Sequence, residues 1–106
     1  MSYKYPERIT VGGLTYTVKL HNKYSLDKMG DTAGLHCVEH TSIDLATMAE
    51  NGEQRSLDRL NHNLWHELVH SINQAWILGL GEDDVDRMAQ GITQILNQQG
   101  IQLITL

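Results

Sequence analysis

His66-Glu67-Leu68-Val69-His70 sets two imidazoles four residues apart with a carboxylate beside the first. On a helix, positions four apart share one face, with Cβ atoms about 5–6 Å from each other. Two histidines so placed can each give a ring nitrogen to one Zn²⁺ ion at about 2.0–2.1 Å. Glu67 projects about 100° around the helix from His66, within reach of a water on that ion without being a ligand itself. The chemistry such a set supports is hydrolysis: the ion is the Lewis acid, and the carboxylate takes the proton from its water. The plain alternative is two solvated histidines on an exposed helix face.

The elements around the motif favour the metal. Leu57, Leu60, Leu64, Leu68 and Ile72 recur at three- and four-residue spacing as one apolar stripe, with His66 and His70 on roughly the opposite side. Trp65, Val69, Trp76 and Ile77 widen the apolar arc, which predicts a helix over about residues 54–77 that is enclosed on more than one side. In a chain without Phe, Trp65 and Trp76 are expected to supply much of the bulky core. Gly79-Leu80-Gly81 ends this helix, Gly79 being suited to the left-handed stop. A second helix is predicted over about residues 82–98, with Val85, Met88, Ala89, Ile92, Ile95 and Leu96 as its inner stripe. Its acidic first turn (Glu82, Asp83, Asp84) suits the positive end of a helix dipole.

Upstream, the pattern changes to period two. Residues 9–20 read as a hairpin turning at Gly12-Gly13, with Leu14, Tyr16, Val18 and Leu20 on one face of its second strand. Residues 21–34 read as a loop, residues 35–40 and 41–46 as two short strands, and residues 48–53 as a connector around Asn51-Gly52. Ile43 and Leu45 face one way, Ser42 and Asp44 the other. The apolar tail, residues 101–106, is a possible last strand. The expected fold class is α+β: one domain, with a mixed or antiparallel sheet of three to four short strands on an active-site helix, followed by a second helix.

A net charge of −5 without a basic run argues against nucleic acid and anionic membrane surfaces. No apolar run reaches about 18 residues, and residues 1–8 carry no signal-peptide core. The single cysteine, Cys37, cannot form an internal disulfide, so a reducing cytoplasm is the expected location. His36, Cys37 and His40 do not converge if they lie on a strand, and read as a half-buried thiol between exposed histidines. His62, one turn before His66, is either a fourth ligand that would close the site or a polar residue on the same wall.

A catalytic zinc site has three protein ligands as a rule, so one more is needed. If the second helix folds antiparallel on the first, its first turn approaches the histidines. Glu82, Asp83, Asp84 and Asp86 are then all available, and spacing alone does not choose among them.

The segments His66-Glu67-Leu68-Val69-His70-Ser71-Ile72 and Leu78-Gly79-Leu80-Gly81-Glu82-Asp83-Asp84-Val85-Asp86-Arg87-Met88-Ala89-Gln90-Gly91-Ile92 resemble small zincin-like proteins of phages and prophages. These are minimal members of the gluzincin group, related to ImmA/IrrE-type metallopeptidases. The resemblance implies a zinc-dependent peptidase acting on a peptide or protein substrate. It implies Glu82 as third ligand and Asp86, one turn later, as the acid that orients a ligand histidine. It also implies that Ile43-Asp44-Leu45 form an edge strand above the active-site helix and pair with extended substrate through backbone hydrogen bonds. One departure stands out: no His or Tyr follows His70 to stabilise the oxyanion, and Arg87 is the one cation in that stretch. Tyr24, His36 and His40 are the upstream substitutes.

Overall fold

The predicted hairpin forms. In the computed structural model, which describes residues 2–26 and 32–106, β1 (Arg8–Val11) pairs antiparallel with β2 (Leu14–His21) across Gly12 and Gly13. Both glycines have positive φ, 59° and 85°, the backbone a tight hairpin turn requires. Of the expected loop, residues 27–31 lie outside the described residues. The chain then enters β3 (Gly34–Cys37), turns with Thr41 in the left-handed region, and returns as β4 (Ser42–Ala46). The turn takes Val38, Glu39, His40 and Thr41 out of the two strands expected there.

The sheet order is β1-β2-β4-β3, with β4 parallel to β2 and antiparallel to β3. Strand β4 is therefore central. Its backbone is paired on both sides, so Ile43, Asp44 and Leu45 are not an edge, and the edge beside β4 is β3. Ile43 and Leu45 are fully buried beneath the helices, while Asp44 points to the other face and accepts from His21 Nε2 at 2.7 Å.

Helix α1 (Leu57–Trp76) begins at Ser56, whose hydroxyl accepts from the Arg59 amide at 3.1 Å. Its stripe Leu60, Leu64 and Leu68 meets Tyr16, Val18, Ile43 and Leu45 of the sheet to form the core. The C-terminal tail adds Ile104, and Asn61 holds it there. Asn61 Oδ1 accepts from the amides of Leu103 and Ile104, and its Nδ2 donates to the Ile104 carbonyl, each at 2.9 Å. The tail makes one isolated bridge, Lys4 to Thr105, instead of a strand.

Helix α2 (Glu82–Gln98) runs back along α1: Glu82 lies by His70, Asp86 by His62, and Asn97 by Asp58. The fold is thus α+β, a four-stranded mixed sheet and two helices. Among the described residues, no helix is long and apolar enough to cross a membrane.

Two apolar arcs are narrower than expected. Trp76 and Ile77 are exposed, Ile77 to 88%, because the short central strand β4 does not reach the last turn of α1, which meets the sheet only at the hairpin turn. Trp65 alone of the two tryptophans packs on the core. On α2, Val85, Ala89 and Thr93 are buried, whereas Met88 and Ile95 are exposed. Among the elements α2 touches α1 alone, so one strip of small residues suffices.

The hairpin turn is pressed against the end of α1. A Cβ at Gly12 would stand 2.5 Å from Ala75 Cβ, while one at Gly13 would meet nothing within 4 Å. Both substitutions strain a positive φ at about 1–2 kcal/mol, and overpacking adds about 1–3 kcal/mol at Gly12 alone. Gly12→Ala therefore lowers the urea midpoint clearly more than Gly13→Ala, and equal midpoints would show the contact to be absent.

Candidate metal centre

The helix pair brings three groups to one point. His66 Nε2 lies 2.6 Å from Glu82 Oε1, and His70 Nε2 lies 3.1 Å from Glu82 Oε2. The two imidazoles are 4.9 Å apart between ring centres, and the ligand atoms of all three residues fall within 4.8 Å of one another. Three donors placed tetrahedrally around zinc at about 2.0–2.1 Å would stand about 3.3 Å apart. The linker that delivers Glu82 is held by Asn73. Its Nδ2 donates to the Leu80 carbonyl at 3.1 Å and its Oδ1 accepts from the Leu80 amide at 3.0 Å. Gly81 caps α2 with Asp84 accepting from its amide at 3.4 Å, so Asp84 serves the helix end and Glu82 is released to reach across.

Charge logic supports a cation here. His66 faces acceptors through both ring nitrogens, Nε2 toward Glu82 and Nδ1 toward Asp86 Oδ1 at 3.2 Å. A neutral imidazole has one N–H. If Nδ1–H donates to Asp86, the Nε2 lone pair confronts a carboxylate oxygen. A shared cation removes that repulsion, and it serves His70 at the same stroke. A proton added to His66 alone would do the same, with neutral His70 donating from Nε2 to Glu82. The second cluster, His62, His66 and Asp86, also falls within 4.8 Å but has no such conflict. His62 Nε2 and His66 Nδ1 can each donate to Asp86 Oδ1, at 3.1 and 3.2 Å, and the other Asp86 oxygen accepts from Gln90 at 2.9 Å. Burial pushes the Asp86 carboxyl up, but hydrogen bonds and charge from His66 and His62 outweigh it and hold the group below its usual range. Two imidazoles and a glutamate are a donor set suited to zinc with a further position left open.

Glu67 sits beside this cluster at 7% exposure. Burial raises its carboxyl to about 7; His66 opposes the shift and Glu82 adds to it. A base poised there matches proton transfer near neutral pH. Gly34 on β3 makes the room. A Cβ at Gly34 would lie 3.0 Å from Glu67 Oε2 and 3.2 Å from its Cγ, so this edge strand crosses the carboxylate closely enough that any larger residue would press on it. Two clefts open on either side of Glu67. One, of about 310 Å³, contains His36, His66, His70 and Glu82. The other, of about 330 Å³, contains His62, Asn63, Arg55 and Arg59.

His66, Glu67, His70, Glu82 and Asp86 are thus brought together, with Asp86 on the far nitrogen of His66. Ile43, Asp44 and Leu45 are not part of the site, because they lie inside the sheet or on its other face. Of the upstream candidates, His36 enters the cleft, on the same sheet face as Gly34, and its Nε2 lies 3.0 Å from the Tyr16 hydroxyl. Burial and the neighbouring His70 push its imidazole below the usual range. His40 and Tyr24 are exposed and line neither cleft, and Arg87 is exposed on α2. Cys37 is free and half-buried. Sequence reasoning missed Gly34 and Asn73; Gly34 carries no signal short of the strand pairing, and Asn73 reads as an ordinary polar helix residue.

No protein-family model matches the chain, and no curated protein or solved structure matches it at a significant level.

Two measurements check the centre. In a zinc competition titration, His66→Ala and His70→Ala abolish stoichiometric binding, Glu82→Ala weakens it, and Asp86→Ala costs about 10–100-fold. His62→Ala leaves it unchanged; loss of binding in that variant would instead place the ion at the second cluster. The metal-free protein also reports on Glu67. Its folded value of about 7 exceeds the ordinary 4.5, so between those limits the folded chain keeps a proton that the unfolded chain releases. Ionisation therefore destabilises the fold, fully so above pH 7. After chelation, Glu67→Gln should stabilise the protein by roughly 2–3 kcal/mol at about pH 8 and not at about pH 4.5, as read from urea midpoints.

Proposed function

We propose that this chain is a zinc-dependent peptidase of the zincin type, with His66, His70 and Glu82 as ligands and Glu67 as the proton acceptor. The observation that carries the reading is the meeting of Glu82 with both motif histidines across the helix pair, at 2.6 and 3.1 Å. The resemblance to small phage and prophage zincin-like proteins supports it, as does the single cysteine for a reducing, cytoplasmic setting. Zinc, when bound, supplies a Lewis acid and water whose pKa is lowered toward about 7. Glu67 is placed to take a proton from the attacking water and return it to the leaving amine. Asp86 holds the His66 ring through Nδ1, which leaves Nε2 for the ion. If Tyr16 donates its hydroxyl hydrogen to His36 Nε2, the remaining ring proton lies on Nδ1, a hydrogen-bond donor for the oxyanion within the same cleft. The peptide itself would lie along the open edge of β3, taking over the role expected of residues 43–45.

A second reading is supported by that same edge. β3 could recognise a protein partner by strand addition while the zinc serves stability alone, without turnover. Assay of the zinc-loaded protein on a peptide library separates the two. The peptidase reading expects cleavage that is lost in Glu67→Gln with zinc still bound, and a fall of about 10²–10³ in kcat for His36→Ala. A wild-type protein that binds zinc but cleaves no library member would overturn it.

A further inference from the structure

The cleft on the N-terminal side of Glu67 carries charge that the proposed chemistry does not use. Arg59, Asn63 and Glu67 follow one another four residues apart on α1, and so share one face of the helix. Arg55, just ahead of the cap, lines the same cleft. Its Nε donates to the Met48 carbonyl at 2.7 Å and its Nη2 to the Tyr24 carbonyl at 3.0 Å, so the guanidinium is held by neutral acceptors and keeps its full charge. The Arg59 side chain is exposed, and no carboxylate pairs with either arginine among the described residues. The two guanidinium groups repel: burial and the Arg59 charge push Arg55 below its ordinary range. Asn63 Nδ2 is buried in the same wall without an acceptor. Asp86 is the acid on the opposite wall, and its oxygens are already engaged by His62, His66 and Gln90.

We infer that this cleft is a carboxylate subsite, in which Arg59 and Arg55 receive an acidic group of the substrate beside the bond to be cut. The inference rests on the peptidase reading above and specifies its substrate class. Eight residues of helix separate Arg59 from Glu67 by about 12 Å. Extended chain covers that distance in three to four residues at about 3.3 Å each. The acid therefore falls within about three residues of the scissile bond. It is either an Asp or Glu side chain or the C-terminal carboxylate of a short peptide, the same chemistry from two sources.

The test uses hexapeptide pools fixed at one position as Glu, Gln or Lys, each made with a free and with an amidated C-terminus. Zinc-loaded wild-type protein should cleave the Glu pools about 10–100-fold faster than the Gln pools, the span of one charged hydrogen bond. If the terminal carboxylate is the ligand, the preference instead follows the free C-terminus. Arg59→Ala should abolish either preference, and Arg59→Glu should shift it to the Lys pools. Arg59 is exposed, so neither variant threatens the fold, and the zinc titration confirms an intact centre. Binding of the same pools, fluorescently labelled, to zinc-loaded Glu67→Gln protein gives a readout without turnover. If wild type cleaves nothing while Glu67→Gln protein still binds acidic pools preferentially through Arg59, the subsite stands and the peptidase reading falls. Cleavage with no charge preference, unchanged in Arg59→Glu, overturns the subsite and leaves the peptidase reading intact.

Discussion

The reach of Glu82 onto His66 and His70 depends on one amide. Asn73, one turn below His70, grips both backbone groups of Leu80, at 3.1 and 3.0 Å, and thereby fixes the path of the chain from the end of α1 to the start of α2. The turn itself is permissive: Ile77 and Gly79 both adopt positive φ, 51° and 72°, and Ile77 and Leu78 are exposed and hold nothing in place. Beyond the clamp, the second helix is positioned by the strip Val85, Ala89 and Thr93 and by the side-chain bonds of Asp86 to His62 and His66 and of Asn97 to Asp58, none of which fixes the path of the linker. A slide of one residue moves Glu82 by about 1.5 Å along the axis and 100° around it, enough to take it off the histidines. The meeting of Glu82 with the two histidines is thus set in part by two hydrogen bonds made outside that cluster.

Glu67 illustrates a cost accepted for chemistry. A carboxyl at 7% exposure whose ordinary value of 4.5 rises to about 7 is a destabilising group whenever it ionises without a nearby cation. The sheet lies close to it as well, since β3 crosses at Gly34, where an added Cβ would stand 3.0 Å from Glu67 Oε2. A divalent ion held by the neighbouring ligands would reverse the sign of the local field and bring the carboxyl down again. Under the zinc reading, the fold and the ion would be coupled through this one side chain. Burial that is a defect in a metal-free protein would, under that reading, be a means of tuning a base.

Much of this was legible in the sequence, and the gaps have physical causes. Period two in Tyr16, Val18, Ile43 and Leu45 gave the core face of the sheet, and the Leu60, Leu64 and Leu68 stripe gave that of the helix. Alternation says which face a residue takes but not which strand lies beside it. The order β1-β2-β4-β3, which puts β4 inside and β3 at the edge, comes from a parallel pairing between segments more than twenty residues apart, and no local pattern records it. Trp76 and Ile77 look like core by hydrophobicity and are not, because the end of the helix meets only the tip of the hairpin and not the central strand. The acidic first turn of α2 hid a division of labour. Asp84 caps, Glu82 reaches the histidines and Asp86 steadies His66, and only the helix crossing distinguishes them.

The two clefts meeting at Glu67 are chemically unlike, and that asymmetry follows from the direction of α1. Toward its C-terminal end the helix presents His66 and His70, which the acidic start of α2 completes. Toward its N-terminal end it presents Arg59 and, beyond the cap, Arg55, where the positive end of the helix dipole adds to the guanidinium charges. Placing basic residues at a helix N-terminus is locally unfavourable. A chain with a net charge of −5 has acidic residues to spare for that position and does not use them there. Asp58 lies in this same first turn but is turned toward Asn97 and Gln102, away from the cleft. The concentration of positive potential on one wall thus runs against both the dipole and the overall charge of the chain. A carboxylate bound in that cleft would relieve both conflicts, since it neutralises the paired guanidinium groups and sits at the end of the helix where an anion is favoured.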